Sequence, residues 1–235
     1  SFAEFVTGRV YDQIRMEVCY GKTNVKIASS HAGVTLGEDG ATHQTMEDIA
    51  LMRVLPDMVV INPCDWTQTK NATIAAAKYD GPVYLRFGRP KVADFMPDEP
   101  FEIGKAYVLN EGKDVSIFAT GHMVWEALQA AEALEAEGIC AEIIDIATIK
   151  PLDTKAVLAS AIKTGAVVVA EEHNMAGGPG ELIAGVLAAT SPKPIEYVNG
   201  KDEFGQSGTP SELLAAYGMD AAHIVEAAKK VLERK

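Results

Sequence analysis

The densest group of chemically active side chains in this sequence lies between His31 and Gln44. These fourteen residues, HAGVTLGEDGATHQ, hold two histidines (His31 and His43), two carboxylates and three glycines. Histidine can donate or accept a proton near neutral pH, and Asp39 could orient a histidine or accept a substrate hydroxyl. A polar loop with one capping carboxylate is the alternative, but the density of titratable groups favours a binding or catalytic site.

Two arginines, Arg86 and Arg89, stand where a strand-like run at 83–87 ends. Arginine at the carboxyl end of a strand suits recognition of a phosphate or carboxylate by paired donors. Such a local positive site would be needed for any anionic substrate, because the chain as a whole is acidic. A surface salt bridge is an equally good interpretation of these residues.

A third polar segment, EEHNMAGGPGE, covers residues 171–181. Its glycines loosely resemble a phosphate cradle, but the spacing of a dinucleotide fingerprint and the lysine of a P-loop are absent. A tight turn between a strand and a helix is therefore favoured over nucleotide binding. The preceding Glu171-Glu172-His173 could contact a neighbouring domain or subunit, and a buried, hydrogen-bonded histidine is equally plausible.

Strand-like and helix-like patterns alternate along the chain and predict an α/β fold. A proline-rich, acidic, aperiodic stretch at 90–103 interrupts the alternation and indicates a linker. We predict two domains, 1–97 and 104–235, joined by a linker at 98–103, each a mainly parallel sheet flanked by helices. The predicted strands cover 25–28, 58–62, 83–87, 114–119, 141–145, 166–170 and 195–198, and the helices 2–20, 46–55, 68–78, 124–137, 153–162, 181–189, 210–217 and 221–234.

Composition narrows the classes of partner. Hydrophobic residues make up 48% of the 235 residues and charged residues 23%, as in a globular protein with a sizeable core. The formal net charge of −12 argues against nucleic acid and anionic membranes as partners, and no apolar run approaches the roughly 20 residues of a membrane span. The three cysteines are widely spaced, which favours reduced core thiols in a cytoplasmic protein.

Several motifs together resemble the transketolase family. The stretch GEDGATHQ at 37–44, with His31 eight residues before Asp39, resembles the pyrimidine-binding domain of transketolase. MRVLPDMVV at 52–60, PCD at 63–65 and GPVYLRFGR at 81–89 fit the same domain. From about residue 104 onward, EEHN at 171–174 and FGQSGTP at 204–210 resemble the family's C-terminal domain.

This resemblance implies a thiamine-diphosphate enzyme that transfers a two-carbon ketol unit between sugar phosphates. In such enzymes the cofactor lies between the pyrimidine domain of one polypeptide and the diphosphate-binding domain of another, which also binds a divalent metal such as magnesium or calcium. A homodimer or a heterotetramer of split chains is therefore expected. No metal ligand is expected in the present chain.

The resemblance also assigns roles to individual residues. Phe2 and Phe5 would line the aminopyrimidine pocket, and His31 and His43 would hydrogen-bond oxygens of the donor substrate. Asp39 would hold the hydroxyl next to the ketose carbonyl. The acceptor phosphate would be bound by Arg89, with Arg86 assisting.

Some features of the family are not found in the sequence. The glutamate that activates the cofactor, the first strand of the pyrimidine domain and the diphosphate-binding domain would all precede Ser1, so residues 1–235 alone are expected to be inactive. Gly8 stands where the family has an aromatic residue.

Three alternatives remain open. A deoxyxylulose-phosphate synthase resembles this loop but carries arginine where this chain has His31. A non-catalytic partner or regulatory module could keep the loop without binding the cofactor. A separate nucleotide-binding protein would use the turn at 177–180.

Overall fold

Two β-sheets, each covered by helices on both faces, form the structure, a computed structural model that describes residues 1–235. Each predicted strand and helix has a counterpart with ends that differ by a few residues, except that the single helix predicted at 2–20 is divided into three helical segments. The predicted α/β fold class is confirmed. None of the helices combines the length and apolar character that crossing a membrane requires.

The first sheet has four strands in the order β1-β3-β2-β7. The first three are parallel, and β7 pairs with β2 in the antiparallel direction. All seven residues of β2 and β3 are buried, as expected for parallel strands covered on both faces. The strands are β1 (Lys26–Ser29), β2 (Val59–Ile61), β3 (Val83–Arg86) and β7 (Thr148–Lys150).

The second sheet has five strands in the order β4-β6-β5-β8-β9. Only the edge strand β4 runs antiparallel to its neighbour. The strands are β4 (Tyr107–Asn110), β5 (Val115–Ala119), β6 (Ala141–Asp145), β8 (Val167–Asn174) and β9 (Ile195–Gly200).

Helix starts follow local capping chemistry. Asp65, Asp153 and Asp220 each accept a hydrogen bond from a backbone N–H in the first turn of the helix that follows, which satisfies an otherwise unpaired donor. At the amino terminus, wide helical turns at Phe5–Arg9 and Ile14–Tyr20 flank the short helix α1 (Tyr11–Gln13). The other helices are α2 (Asp48–Arg53), α3 (Trp66–Lys78), α4 (Met123–Ala136), α5 (Thr154–Thr164), α6 (Pro179–Thr190), α7 (Pro210–Ala216) and α8 (Ala221–Leu232).

The apolar faces of the helices form four core clusters, two on each sheet. In the first sheet, the amino-terminal segment and α2 cover one face, and α3 with Phe101 covers the other. In the second sheet, α4, α7 and α8 cover one face, and α5 and α6 cover the other. Burial of these faces is the main stabilising contribution to the fold.

The sequence patterns did not predict two of the strands, β4 and β7. The edge strand β4 alternates between half-buried and exposed residues, and β7 has only three residues, so neither carries a strong apolar pattern. Strand β7 follows β6 of the second sheet along the chain, yet it pairs with β2 of the first sheet. The two sheets are therefore joined by more than the linker, and the domain boundaries at 97 and 104 stay a prediction.

The cysteines differ in their surroundings. Cys19 and Cys64 are buried and unpaired, whereas Cys140 is exposed. The interpretation of all three as core residues is therefore wrong for Cys140, which lies in the connection that leads into β6.

A buried ion pair lies at the carboxyl end of β3. The Arg86 guanidinium donates to both carboxylate oxygens of Asp48, at 2.8 and 3.2 Å, and to the backbone oxygen of Glu172 at 2.9 Å. The Tyr84 hydroxyl also donates to Asp48, at 2.7 Å. Burial raises the pKa of Asp48, but Arg86 outweighs burial and holds that pKa below its usual value. This pair joins the first sheet to the second.

The partner of Arg86 in the second sheet lies on an irregular stretch of β8. Between the pairs Ala170–Val198 and Asn174–Gly200, the three residues 171–173 of β8 oppose the single residue Asn199 of β9. Such a bulge turns side chains away from the regular alternation. As a result, consecutive polar side chains are all buried here: Glu171, Glu172 and His173.

We predict that Arg86→Ala lowers the free energy of unfolding by about 3–5 kcal/mol, because it leaves Asp48 buried without its counter-charge. Denaturant unfolding monitored by circular dichroism measures the change. Lys70→Ala is the matched control: it breaks the exposed Lys70–Asp98 pair, in which nitrogen and oxygen lie 2.7 Å apart, and it should cost much less. Equal losses for the two variants would contradict the prediction.

We also predict a pH-dependent effect for Glu171→Gln. Burial raises the pKa of Glu171 to about 8, although Asn199 and the Gly180 amide donate to its carboxylate. Its contribution to stability is therefore complete below the ordinary value of 4.5 and is lost as the pH rises through about 8. The melting temperature of Glu171→Gln should rise relative to the wild type between about pH 5 and pH 8.5. A difference that does not change with pH would contradict this.

Candidate active site

The predicted site residues gather at the carboxyl edge of the first sheet. Strand β1 leads to His31 and strand β3 leads to Arg89, and because β1 and β3 are parallel neighbours, both loops leave the same edge. The Ala32 amide donates to the Phe87 oxygen at 3.1 Å and ties the two loops together. This edge is where α/β folds place ligands.

Four aromatic rings form one cluster there, which we call the ring cluster (Phe2, Phe5, His31 and His43). The Phe2 and His31 rings stack with centroids 3.9 Å apart, and the Phe2 and Phe5 rings are nearly parallel at 5.7 Å. His43 contacts both phenylalanines edge-on, at 6.0 and 5.1 Å. The structure thus brings together four residues that lie up to 41 positions apart in the sequence.

His31 is held in an unusual backbone conformation. Its φ of 64° lies in the left-handed region, which a residue with a side chain rarely adopts. Its Nδ1 lies 2.8 Å from the Ser30 hydroxyl, which fixes the ring against Phe2. Burial, followed by the charge of Arg89, lowers the pKa of His31. The imidazole is therefore neutral at neutral pH and can donate a hydrogen bond without carrying charge.

His43 and Phe5 complete the cluster on its outer side. The His43 Nδ1 lies 2.9 Å from the Thr42 hydroxyl, and the Arg9 guanidinium lies 4.3 Å from the centre of the Phe5 ring. A cation over an aromatic face is an attractive contact. Phe5 and His43 are both only partly buried.

Three exposed residues at the site carry charge: Glu38, Asp39 and Arg89. Asp39 makes no hydrogen bond in this chain, and its charge raises the pKa of His31 against the effect of burial. Arg89 donates to the Leu36 oxygen at 2.7 Å and to the Glu38 carboxylate at 2.8 Å. The Arg89–Glu38 pair is exposed, so water or an anion can compete for it.

Arg86 and Arg89 lie in different environments. Arg86 is only 3% exposed, and its guanidinium donates to Asp48 and to the Glu172 backbone. A phosphate would have to displace a buried carboxylate to reach it. The expectation that Arg86 assists Arg89 in phosphate binding is therefore not supported, and the residue instead joins the two sheets.

The glycine-rich turn after β8 does not offer a free phosphate cradle. The Gly180 amide donates to Glu171 at 3.1 Å, and the Gly177 amide donates to Glu181 at 2.6 Å. The Gly177 oxygen accepts from Arg53 at 2.6 Å. Since carboxylates already occupy these N–H groups, the structure supports the tight turn between strand and helix rather than nucleotide binding.

Contacts from the second sheet and from the connection between β9 and α7 reach the loop at 31–44, and the sequence indicated only part of them. The buried Gln44 amide donates to the Val34 oxygen and to the Gln206 oxygen, both at 3.0 Å. Glu172 accepts from the Thr35 amide at 2.6 Å. Consecutive polar residues at the end of an otherwise apolar strand were the available signal. The contact with a neighbouring domain that Glu171-Glu172-His173 suggested is confirmed.

The side chains around the ring cluster suit the aminopyrimidine end of thiamine diphosphate but not its diphosphate end. Exposed parts of Phe2 and Phe5 suit the aminopyrimidine ring. The adjoining cavity of about 280 Å³ is lined by the carboxylates Glu4, Glu47 and Asp202 among other residues, which disfavours a diphosphate there. No group of three histidine, cysteine, aspartate or glutamate side chains in the chain is arranged to hold a metal ion.

Comparisons with known families agree along almost the whole chain. The model of the family "Transketolase, pyrimidine binding domain" matches residues 1–94, and the model of "Transketolase, C-terminal domain" matches residues 104–224. A solved structure described as "Split gene transketolase, inactive beta4 tetramer" is 49% identical, with a TM-score of 0.93 over 99% of this chain and 75% of that one.

Curated relatives point the same way. A "Putative transketolase C-terminal section" of Methanocaldococcus jannaschii is 45% identical over 99% of this chain and 73% of that protein. A "6-deoxy-6-sulfo-D-fructose transketolase subunit" of Clostridium sp. is 44% identical over 100% of this chain and 73% of its own length. The resemblance noted in the sequence is confirmed: the chain belongs to the transketolase family and carries its pyrimidine-binding and C-terminal domains.

Proposed function

We propose that this chain is the C-terminal section or subunit of a thiamine-diphosphate-dependent transketolase that moves a two-carbon ketol unit between sugar phosphates. The observation that carries the proposal is the ring cluster at the carboxyl edge of the first sheet. It combines an aromatic surface with two imidazoles, beside an exposed carboxylate and an exposed arginine.

Phe2 and Phe5 hold the aminopyrimidine end of the cofactor in this proposal. Their rings are nearly parallel, with an angle of 7° between the planes, and they exclude water from the reacting centre. When bound, the cofactor supplies the electron sink for the two-carbon unit. The residues of this chain orient the substrate and hold its protons.

His31, His43 and Asp39 contact the donor sugar. The low pKa of His31 keeps its imidazole neutral, so it donates a hydrogen bond to a sugar oxygen and stabilises negative charge that develops there. His43 hydrogen-bonds a second oxygen of the donor. Asp39, which is exposed and makes no hydrogen bond within this chain, accepts from the hydroxyl next to the ketose carbonyl.

Arg89 binds the phosphate of the acceptor. Its hydrogen bond to the Leu36 oxygen fixes the guanidinium, whereas its pair with Glu38 is exposed and weak. A phosphate offers a doubly charged, multidentate partner and displaces Glu38. Arg89 thereby provides the local positive site that a chain with a net charge of −12 needs for an anionic substrate.

A partner supplies the rest of the enzyme. We assign the diphosphate group and its divalent metal, magnesium or calcium, to an N-terminal domain or subunit, because the resemblance to the family places both in the diphosphate-binding domain. The expected assembly is a homodimer of full-length chains or a heterotetramer of split ones. The similar solved structure, whose description calls that tetramer inactive, supports the expectation that this chain needs a partner for activity.

The identity of residue 31 argues against the nearest alternative. The deoxyxylulose-phosphate synthases resemble this loop but carry arginine at the position of His31. The names of the relatives, which include one of the subunits of an apulose-4-phosphate transketolase of Phocaeicola vulgatus at 35% identity, also support a transketolase. Their sugars differ, so the substrate is best sought with a panel.

The decisive experiment mixes this chain with its diphosphate-binding partner, thiamine diphosphate and magnesium. Ketol transfer is then assayed from xylulose 5-phosphate to ribose 5-phosphate, with a sulfonated ketose and other sugar phosphates as further donors. Activity in the mixture but not with either chain alone is expected. If no donor reacts and no cofactor-dependent complex forms, the non-catalytic module becomes the better interpretation.

His31→Ala in the assembled enzyme should lower turnover by roughly 10²-fold, the usual contribution of one positioned imidazole. Cofactor affinity should change much less, because the proposed partner of His31 is the substrate. Steady-state kinetics and titration of the cofactor by tryptophan fluorescence separate the two effects. Unchanged turnover would remove His31 from the site.

Arg89→Ala should raise the KM for phosphorylated acceptors by about 10–100-fold, the cost of a lost charge-assisted hydrogen bond. Unphosphorylated acceptors should keep their KM. Glu38→Gln is the matched control, because it removes the competing carboxylate and leaves Arg89 free; its KM for phosphorylated acceptors should stay the same or fall. Equal effects of Arg89→Ala on both kinds of acceptor would identify a structural arginine.

A further inference from the structure

We infer that Glu172, on the second sheet, is a positioning residue for the substrate loop of the first domain. This inference rests on the proposed function, because it concerns how the residues assigned to the donor sugar are held. The loop concerned is 31–44, which carries His31, Asp39 and His43, and which we call the substrate loop.

The contact between Glu172 and the loop is a short, buried hydrogen bond to a carboxylate. Glu172 is only 3% exposed, and its carboxylate oxygen Oε1 accepts a hydrogen bond from the amide of the buried Thr35 at 2.6 Å. A hydrogen bond to a charged acceptor is roughly twice as strong as one between neutral groups, and a low-dielectric environment strengthens it further. Without Glu172, the Thr35 amide would be a buried donor without a partner.

The backbone of the substrate loop is shaped to admit this carboxylate. Gly33 has a φ of +80°, and a Cβ at this residue would lie 2.1 Å from Glu172 Oε1. Only glycine leaves room for the carboxylate at this distance. Gly33 lies two residues after His31, and its amide donates to the Thr45 oxygen at 2.8 Å. The base of the loop is therefore closed around the side chain of Glu172.

The backbone of Glu172 is held by the buried ion pair between Arg86 and Asp48. Arg86, whose guanidinium is paired with Asp48, also donates to the backbone oxygen of Glu172 at 2.9 Å. Burial lowers the pKa of Arg86, but the charge and hydrogen bond of Asp48 outweigh burial and raise it, with a smaller contribution from the charge of Glu172. The contact between Glu172 and Thr35, which we call the anchor, is thus attached to the ion pair that joins the two sheets. The position of Glu172 is therefore fixed by buried groups and not by solvent-exposed side chains.

A second attachment holds the other end of the substrate loop. Gln44 donates to the Gln206 oxygen at 3.0 Å, and a Cβ at Gly40 would lie 2.6 Å from the Ser207 hydroxyl. The connection between β9 and α7 therefore packs against the loop. The second domain contacts the loop at both ends, while Asp39 between them stays exposed.

This arrangement explains how a domain that contributes no reacting group affects the reaction. Misplacing a reacting group by about 1 Å can cost on the order of 10²-fold in rate. Glu172 fixes the backbone between His31 and Asp39, so its loss should shift both residues relative to the sugar. Phe2 stacks on His31, but Phe2 and Phe5 belong to the amino-terminal segment and not to the substrate loop, so cofactor binding should change less than the kinetics of the sugar.

The test compares three variants in the assembled enzyme and in the chain alone. Glu172→Ala removes the acceptor, and Glu172→Gln keeps an uncharged acceptor at the same reach. Glu142→Ala is the matched control, because it removes another buried carboxylate of the second sheet, which accepts from Ser160 at 2.6 Å. Glu142 is the second residue of β6, which is separated from β8 by β5.

We expect Glu172→Ala to lower kcat/KM for the donor sugar by about 10–100-fold with the affinity for thiamine diphosphate changed less than about threefold. Glu172→Gln should recover most of the loss, and Glu142→Ala should keep wild-type kinetics. Unchanged kinetics in Glu172→Ala, or an equal loss in Glu142→Ala, would overturn the inference.

Hydrogen exchange of the chain alone, read by mass spectrometry, tests the anchor without any activity. Peptides that cover 31–44 should exchange faster in Glu172→Ala than in the wild type, and should be unchanged in Glu142→Ala. An unchanged rate in Glu172→Ala overturns the anchor. A wild-type complex without activity would instead defeat the proposed function, so the two failures are distinguishable.

Where Glu172→Ala does not accumulate as folded protein, Glu172→Asp takes its place. Aspartate keeps the charge but is one methylene too short to reach the Thr35 amide. Faster exchange and lower kcat/KM in Glu172→Asp than in Glu172→Gln would support the anchor, because reach then matters more than charge. The opposite order would overturn it.

Discussion

The buried pair between Arg86 and Asp48 is the contact on which the rest of the site depends. Both charges are removed from water, so neither can leave without a large cost, and the pair fixes the end of β3 against the start of α2. The same guanidinium donates to the backbone of Glu172 in the second sheet. The edge of the first sheet, where the ring cluster lies, is therefore held by groups that cannot move independently.

The two domains contribute different parts of the candidate site. The first domain carries the side chains with acid-base, aromatic and charged character, and these stand at the ends of short parallel strands. The second domain supplies hydrogen-bond partners for the backbone of the substrate loop, through the bulge in β8 and the connection before α7. Functional sites need this kind of second layer, because a loop alone does not hold its residues with sufficient precision.

Electrostatics assigns different tasks to neighbouring groups of the same type. Of the two arginines near the end of β3, the buried one serves the structure and the exposed one remains available to an anion. Of the two consecutive glutamates in β8, Glu171 is largely protonated near neutral pH because burial raises its pKa to about 8, while Glu172 accepts from the substrate loop. Burial and the nearest partner decide the role in each case, not the residue type.

The sequence by itself determined the fold class, because apolar runs and turn residues are local signals, and it determined the family through the GEDGATHQ stretch preceded by His31. Only the tertiary structure decided which arginine faces solvent, that β7 joins the first sheet, and that Glu172 meets Thr35 across 137 positions of chain. Such contacts depend on how separate elements pack. A residue's own neighbours in the sequence carry little information about a partner that only the folded chain brings within 3 Å.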